Sequence, residues 1–269
     1  MTARFDNCIL NTLYTLRSFW TLEAGEDDCE SCPSEWVRIV ELMPATVITG
    51  GSGGLGNAIA MRFKDAGRTI VSLDSNATSD IADLSFTVDV ADSGAVAEAF
   101  AAVGQRYGRI DVLVCASGLV VESPVEQMAD TDWHAVIDAS LTGAFYAARA
   151  ALPAMSSGGS IIAFSSGYAT SGYRNGANYA AAKAGVEALM KSIALEYAAR
   201  GIRANCIAPG PIRTPMLKAE REAVVRDRIP MQRVGEPADI VGLVEFLASD
   251  RSAYITGQTI HVNGGLLLP

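Results

Sequence analysis

A tyrosine and a lysine separated by one helical turn, Tyr179 and Lys183, are the side chains in this sequence best suited to acid–base chemistry. Residues at positions i and i+4 project from the same face of a helix. A free phenol titrates near pH ~10, and an ammonium group held beside it favours the phenolate. The spacing therefore predicts a tyrosine that exchanges a proton with a substrate near neutral pH. Because ordinary surface helices often contain this spacing, the prediction needs an independent second motif.

A glycine-rich segment supplies that second motif. Residues 45–49 form a short apolar run typical of a buried strand, and residues 50–56 are Gly-Gly-Ser-Gly-Gly-Leu-Gly. Leu55, Ile59 and Phe63 then recur with helical spacing. A strand, a glycine turn and a helix start predict a cradle for a pyrophosphate, because glycines let the backbone come close and helix N–H groups face the anion. The alternative is a flexible linker, which rarely lies between a buried strand and an amphipathic helix.

An aspartate at the end of the second predicted strand bears on the choice of cofactor. Asp74 ends the run 69–74, eighteen positions after Gly56. An acidic residue there can accept hydrogen bonds from ribose hydroxyls, and it repels a 2′-phosphate. No Arg or Lys occurs in the glycine loop or between Asp74 and Ile81. We therefore expect NAD to be preferred over NADP. The alternative is a turn aspartate without a ligand.

Together these motifs resemble those of the short-chain dehydrogenase/reductase family, and in particular its 3-oxoacyl-[acyl-carrier-protein] reductases and similar secondary-alcohol dehydrogenases. The resemblance runs from about Pro44 to the end of the chain. It includes the glycine loop, Ser166 with Tyr179 and Lys183, and the C-terminal segments 254–258 and 262–265. The glycine-loop argument and the resemblance together predict these cofactor-binding residues: Gly50, Ser52, Gly53, Gly54, Leu55, Gly56, Asp74, Asp89, Val90, Cys115, Ala116, Ser117, Gly118, Tyr179, Lys183, Pro209, Gly210, Ile212 and Thr214.

The resemblance implies hydride transfer between a nicotinamide and a secondary alcohol or ketone. Tyr179 would donate a proton to the carbonyl oxygen during reduction and remove it during oxidation, and Ser166 would orient that oxygen. Lys183 would lower the pKa of Tyr179 and bind the nicotinamide ribose. The family resemblance also implies a homo-oligomer, a dimer or more commonly a tetramer.

Two departures from the family pattern bear on catalysis. Cys115-Ala116-Ser117-Gly118 stands where members usually have Asn-Asn-Ala-Gly, and Ser140 stands where they usually have a catalytic asparagine. In the family that asparagine helps hold a water that links the lysine to solvent. We include Ser140 among the predicted catalytic residues because its hydroxyl can hold this water; the alternative is that the shorter serine leaves the relay incomplete. The alternative function is a non-catalytic dinucleotide-binding sensor or assembly subunit that keeps the fold and has lost turnover.

Strand and helix patterns alternate along the chain, which predicts an α/β fold. We expect one doubly wound parallel sheet of about seven strands, a Rossmann fold with helices on both faces. The catalytic domain spans 44–269, and 1–43 is an N-terminal extension of uncertain status. Predicted strands lie near 45–49, 69–74, 85–88, 111–115, 160–165, 202–207 and 258–262, and predicted helices near 54–66, 93–107, 131–155, 177–200 and 237–248.

Composition limits the partners and the compartment. A net charge of −9 without a basic stripe argues against nucleic acid and anionic membranes as partners. Five cysteines and no signal peptide fit a reducing cytoplasm. Cys29 and Cys32 have metal-ligand spacing, but with no nearby histidine they lack a full ligand set, so we predict no metal.

Substrate identity depends mainly on the segment after Pro209. Residues 213–233 carry six basic and three acidic side chains. This excess could attract an anionic substrate tail, or it could belong to a solvated helical lid. A small-molecule substrate is expected, and a 3-oxoacyl thioester, a small polyol and a cyclic alcohol all remain open.

Overall fold

Seven parallel strands form the centre of the molecule, in the order β3-β2-β1-β4-β5-β6-β7. The computed structural model describes residues 45–76 and 80–268, so the predicted extension 1–43 lies outside the described residues. The strands are β1 (Ala45–Thr49), β2 (Thr69–Asp74), β3 (Leu84–Thr87), β4 (Ile110–Cys115), β5 (Met155–Phe164), β6 (Arg203–Pro209) and β7 (Thr259–Val262).

Helices connect the strands and cover the sheet. They are α1 (Gly54–Asp65), α2 (Ser93–Tyr107), α3 (Asp130–Ile137), α4 (Gly143–Ala151), α5 (Tyr168–Ser171), α6 (Ala177–Tyr197), α7 (Ala219–Arg226) and α8 (Pro237–Leu247). Short 3₁₀ turns lie at Val125–Gln127, Ala198–Arg200 and Asp250–Ser252. The predicted doubly wound α/β fold is confirmed.

The strands are buried on both faces because successive side chains of a strand point to opposite sides. Val47 belongs to the apolar cluster that packs against α2, α4 and α6, whereas its neighbour Ile48 belongs to the cluster that packs against α1 and α8. β1 and β2 are buried at every position, as expected for central strands of a parallel sheet.

The order in which successive strands are added to the sheet reverses at β1. From β1 it proceeds to β2 and β3 on one side and later to β4, β5, β6 and β7 on the other. In open parallel sheets, ligands bind beyond the carboxyl ends of the strands at this switch point. Predicted cofactor-binding residues follow β1, β2, β3, β4 and β6 at that edge, and Ser166 follows β5.

One predicted helix is broken. Instead of a continuous helix over 131–155, α3 and α4 are joined by a π-helical turn at Asp138–Thr142, and β5 already begins at Met155. Gly143 follows the π turn, and a Cβ there would lie 2.6 Å from Val90 Cγ2. A π turn adds a residue to the helical path and is common at functional sites. In this chain it carries Ser140 with its side chain buried.

Candidate active site

Tyr179 and Lys183 lie on one face of α6, as their spacing predicts. The Lys183 Nζ is 5.6 Å from the centroid of the Tyr179 ring and donates a hydrogen bond to the Phe164 carbonyl oxygen at 2.8 Å. Burial lowers the pKa of Lys183 from its ordinary value near 10.5 to about 8. The ammonium group is therefore held inside the protein, at the end of β5.

The start of α6 is fixed by a residue that the sequence analysis missed. Asn178 is fully buried, and its Oδ1 accepts a hydrogen bond from the Tyr179 backbone N–H at 2.7 Å. Its Nδ2 donates to the Asp132 carbonyl oxygen at 3.3 Å, which connects α6 to α3. The only signal in the sequence is a polar residue that directly precedes Tyr179.

Ser166 follows β5, and hydrogen bonding by its side chain acts to lower the pKa of Tyr179. Its Oγ also accepts a hydrogen bond from the Tyr168 backbone N–H at 3.2 Å. The preceding residue, Ser165, donates to Glu187 Oε1 at 2.6 Å and so connects the end of β5 to α6. The structure therefore brings the hydroxyl groups of Ser166 and Tyr179 together, next to Lys183.

The pKa of Tyr179 differs from the expectation. We expected the neighbouring ammonium to lower it, but burial raises the pKa of Tyr179 above its ordinary value, and the Ser166 hydrogen bond offsets only part of that effect. The phenol is therefore protonated at neutral pH. A protonated phenol suits donation to a carbonyl oxygen, which is the proton transfer that ketone reduction needs.

The Ser140 hydroxyl is buried and has no hydrogen-bond partner within the described part of the chain. It lies near Lys183 across Gly118, since a Cβ on Gly118 would be 3.3 Å from Lys183 Nζ and 3.5 Å from Ser140 Oγ. An unpaired hydroxyl in the interior is costly and usually has a functional reason. Ser140, Gly118 and Lys183 thus surround one small polar space.

The glycine loop has the geometry that a dinucleotide requires. Gly50 has φ +69°, and a Cβ there would lie 2.8 Å from the Ser117 backbone nitrogen. At Gly56 a Cβ would lie 2.1 Å from the Gly50 carbonyl oxygen. α1 begins after Gly53 without any side-chain cap, so the N–H groups of Gly54, Leu55 and Gly56 face the loop with no capping side chain. This arrangement fits the pyrophosphate of a dinucleotide.

Asp74 lies at the carboxyl end of β2 beside the glycine loop. Its two carboxylate oxygens accept hydrogen bonds from the backbone N–H groups of Ser52 and Asn76, both at 2.9 Å. An ionised carboxylate accepts about four hydrogen bonds, so acceptor capacity remains for ribose hydroxyls. The position fits its predicted role at the adenosine ribose.

Two further segments adjoin the glycine loop. The Ala116 N–H donates to the Thr49 carbonyl oxygen at 3.0 Å, which places Cys115–Gly118 next to the end of β1. Thr214 lies over the start of α1, because a Cβ on Gly54 would be 2.8 Å from Thr214 Cβ. Pro209, Gly210 and Ile212 lead to it, and the Gly210 N–H donates to the Val262 carbonyl oxygen at 2.8 Å.

The remaining predicted cofactor residues follow β3. Val90 is buried, whereas Asp89 is exposed and its Oδ1 accepts a hydrogen bond from the Ala91 N–H at 2.9 Å. Cys115 is buried, and burial raises the pKa of its thiol to about 12 despite the opposing charge of Lys183. Such a thiol is unreactive at neutral pH.

The basic excess after Pro209 is largely neutralised by acidic residues. Arg213 pairs with Glu222 and Glu236, Arg221 with Glu122, Arg226 with Asp227, and Arg233 with Asp239. Glu122, Glu236 and Asp239 lie outside 213–233, so counting charges within that segment could not find them. Among the described residues, only Lys218 and Arg228 of the six basic side chains form no ion pair. The structure therefore weakens the argument for an anionic substrate tail.

Two tyrosines between Ser166 and Tyr179 were not predicted to matter. The rings of Tyr168 and Tyr173 stack at 4.0 Å between centroids, and Tyr173 meets Tyr179 edge-on at 6.2 Å. The sequence contained a signal for these tyrosines, because they are aromatic residues that lie between two candidate catalytic residues.

Comparison with known proteins agrees with this geometry. Residues 50–267 match the family model described as enoyl-(acyl carrier protein) reductase. The 3-oxoacyl-[acyl-carrier-protein] reductase FabG of Thermotoga maritima is 37% identical over 238 residues, covering 82% of this chain and 97% of the relative. MabA of Mycobacterium tuberculosis, a 3-oxoacyl-[acyl-carrier-protein] reductase, is 38% identical over 227 residues, covering 82% and 92%.

The fold also resembles those of solved dehydrogenase structures. A short-chain dehydrogenase/reductase from Brucella melitensis, described as a glucose/ribitol dehydrogenase, superposes with a TM-score of 0.79 at 30% identity, covering 86% of this chain and 99% of that one. The aldohexose dehydrogenase of Thermoplasma acidophilum gives 0.78 at 33% identity, covering 84% and 95%.

The chain belongs to the short-chain dehydrogenase/reductase family. It is an oxidoreductase that acts on CH–OH groups, and on carbonyl groups in the reverse direction, with a nicotinamide dinucleotide cofactor. Within the described residues, no helix is both long and apolar enough to cross a bilayer.

Proposed function

We propose that this enzyme reduces a ketone to a secondary alcohol with Ser166, Tyr179 and Lys183 as its catalytic residues. The observation that carries the proposal is the meeting of Ser166 and Tyr179 hydroxyls, beside a buried ammonium, at the edge of the sheet that holds the glycine cradle. The glycine loop and Asp74 would hold the dinucleotide. When bound, the nicotinamide supplies the hydride.

Each catalytic side chain has a distinct task in this proposal. Ser166 donates a hydrogen bond to the carbonyl oxygen and orients it. Tyr179, protonated because its pKa is raised, donates the proton that this oxygen takes up. Lys183 supplies positive charge as the phenolate forms, and its ammonium lies beside the polar space that Gly118 and Ser140 also line. The experiment that tests the function is turnover of ketones and secondary alcohols with Tyr179→Phe as the control.

The role proposed for Ser140 leads to a test by substitution. Ser140→Ala removes the unpaired hydroxyl, and we expect kcat to fall by about tenfold or more, as for loss of one member of a proton-transfer network. Ser140→Asn should retain turnover because an amide can bind the same water. Steady-state kcat at several pH values would measure both variants. Equal activity of Ser140→Ala and the wild type would remove Ser140 from the catalytic set.

The relatives and the solved structures suggest two classes of substrate. Curated relatives at 34–38% identity are named 3-oxoacyl-[acyl-carrier-protein] reductases, whereas the structural neighbours are named for sugars and polyols. We propose a 3-oxoacyl thioester as the first candidate and a small polyol or secondary alcohol as the second. The non-catalytic alternative gains no support, because the family model and the relatives are named as reductases and dehydrogenases.

We propose NAD as the preferred cofactor, supported by the Asp74 carboxylate beside the glycine loop. Asp74→Ala should narrow the preference for NAD over NADP, since it removes both the ribose acceptor and the charge that repels a 2′-phosphate. The measurement is kcat/KM with each cofactor, and Asp65→Ala, an exposed aspartate at the end of α1, is the matched control. An unchanged ratio would exclude Asp74 as the selecting residue.

Three further expectations remain proposals. We expect a dimer or tetramer, and the exposure of Phe145 on α4 and Leu195 on α6 supports an interface there. We expect a cytoplasmic location, which the free thiols of Cys115 and Cys206 support. The division into an extension at 1–43 and a catalytic domain at 44–269 is likewise proposed.

A further inference from the structure

Three segments of the chain meet at one polar contact beside the catalytic tyrosine. Glu122 comes from the loop after β4, Tyr173 from the segment before α6, and Arg221 from helix α7, in the segment that we interpret as a helical lid. Arg221 Nη1 and Nη2 donate to Glu122 Oε1 and Oε2 at 2.7 and 2.6 Å. The Tyr173 hydroxyl donates to Glu122 and lies 3.4 Å from Arg221 Nη1. We call these three residues the lid clasp.

The ring of Tyr173 connects the lid clasp to the catalytic residues. One face stacks on Tyr168, with an interplanar angle of 10°, and the ring meets Tyr179 edge-on at 71°. The Tyr168 backbone N–H in turn donates to Ser166 Oγ at 3.2 Å. A single side chain therefore contacts the lid clasp through its hydroxyl and Tyr179 through its ring.

The backbone around Tyr173 holds the ring against α6. Gly176 is the residue before α6, and a Cβ there would lie 2.1 Å from Tyr173 Cδ1, so only glycine leaves room for the ring. The Ser123 N–H donates to the Asn175 carbonyl oxygen at 2.7 Å, which fixes the loop of Glu122 beside the segment of Tyr173. Asn175 has φ +63°, a conformation in which asparagine is enriched.

The lid clasp is a weak contact, as a contact that opens and closes must be. The side chains of Arg221 and Glu122 are 51% and 31% exposed, and ion pairs exposed to this degree contribute little. The Arg221 and Tyr173 hydrogen bonds hold the pKa of Glu122 near 2, so the carboxylate remains ionised at any working pH. Lid opening therefore does not depend on protonation of Glu122.

We infer that Tyr173 is a positioning residue that couples closure of the lid helix α7 to the placement of the Tyr179 hydroxyl. The inference rests on the proposed function, in which Tyr179 donates the proton. With the lid closed, Arg221 and Glu122 hold the Tyr173 hydroxyl, and the ring excludes water from Tyr179. With the lid open, Arg221 leaves the clasp and the Tyr173 hydroxyl keeps only Glu122, so the ring is held less firmly against Tyr179.

Three substitutions separate the role of the Tyr173 hydroxyl from the role of its ring. Tyr173→Phe keeps the ring, and Glu122→Gln weakens the same clasp from the other side. We expect both to raise KM about two- to fivefold with kcat within about twofold. Tyr173→Phe loses one hydroxyl hydrogen bond and Glu122→Gln loses one exposed ion pair, while the ring stays stacked on Tyr168 in both variants. Tyr173→Leu removes the ring, and we expect kcat to fall between about tenfold and a hundredfold as the proton donor loses its placement. Glu126→Gln, an exposed acid four residues from Glu122 with no ion pair in the described residues, is the matched control.

Two readouts do not depend on turnover. Trypsin cleavage after Arg221, followed by mass spectrometry, should be several-fold faster in Tyr173→Phe and Glu122→Gln than in the wild type and Glu126→Gln. The titration of Tyr179 can be followed by phenolate absorbance, with Tyr179→Phe subtracted. Its midpoint should move to lower pH in Tyr173→Leu, because water reaches the phenol, and stay unchanged in Tyr173→Phe.

The outcomes distinguish this inference from the proposed function. Wild-type cleavage rates in both clasp variants would overturn the coupling to the lid. An unchanged Tyr179 midpoint in Tyr173→Leu would overturn the positioning role. Absence of turnover in the wild type would count against the proposed function alone, since cleavage and titration still decide the role of Tyr173.

Discussion

Replacing Tyr179 by phenylalanine is expected to lower kcat for ketone reduction between about 10²- and 10⁴-fold, the contribution typical of a positioned proton donor. The aromatic ring stays, so its contacts with Tyr173 and Lys183 remain in place. Only the hydroxyl that bonds to Ser166 is lost. The Kd for the dinucleotide should change by less than about fivefold, because the glycine loop and Asp74 are untouched. Steady-state kinetics and calorimetric titration with the cofactor would measure the two quantities.

The matched control for this substitution is Tyr254→Phe, which removes the hydroxyl of a fully exposed tyrosine near the C-terminus. It should behave as the wild type in both measurements. If Tyr179→Phe retained more than about a tenth of wild-type kcat, a different group would have to donate the proton.

Replacing Lys183 by methionine is expected to abolish most turnover and to stabilise the protein near pH 7. Folding lowers the pKa of Lys183 from near 10.5 to about 8, so below pH ~8 the folded state carries a buried charge that it disfavours by about 3 kcal/mol. Methionine removes the buried charge but leaves the Phe164 carbonyl oxygen without its hydrogen-bond donor. Loss of this hydrogen bond costs about 1 kcal/mol, which reduces the stabilisation. The net gain in the free energy of unfolding should be about 1–2 kcal/mol.

The pH dependence gives the sign of this effect. Between pH about 8 and 10.5 the unfolded state binds more protons at Lys183 than the folded state, so wild-type stability at this site rises with pH. The advantage of Lys183→Met should therefore be largest below pH ~8 and disappear near pH ~10. Urea denaturation at both pH values measures it, with Lys191→Met, an exposed lysine on the same helix, as the control. A variant less stable than the wild type at neutral pH would contradict the argument.

The parts of the fold that sequence predicted well depend on local patterns. β1 and β2 were located to the residue because short β-branched runs bounded by glycine or aspartate have few alternatives. The 131–155 segment was predicted as one helix because its apolar periodicity continues through 138–142. Gly143, directly after the π turn, packs closely against Val90, a long-range contact that local periodicity does not encode.

In the site, too, local spacing predicted some features, whereas others depend on contacts between distant parts of the chain. Glycine spacing and the Tyr179–Lys183 spacing are local, and the structure brings those residues to one edge of the sheet. The predicted sign of the Tyr179 pKa shift was wrong, because burial raises this pKa by more than the Ser166 hydrogen bond lowers it, and burial follows from the tertiary fold. Glu122 and Arg221 are ninety-nine positions apart, so no short-range pattern connects them.

The measurement that tests the account most directly is the absorbance of reduced nicotinamide as the wild-type enzyme acts on a panel of substrates. The panel contains 3-oxoacyl thioesters, simple ketones, sugars and enoyl thioesters, each tried with NADH and NADPH, and the reverse reaction uses secondary alcohols and polyols. We predict oxidation of the cofactor by a ketone substrate, faster with NADH, and its loss in Tyr179→Phe. Tight cofactor binding without turnover of any carbonyl, or turnover that survives in Tyr179→Phe, would contradict the proposed mechanism.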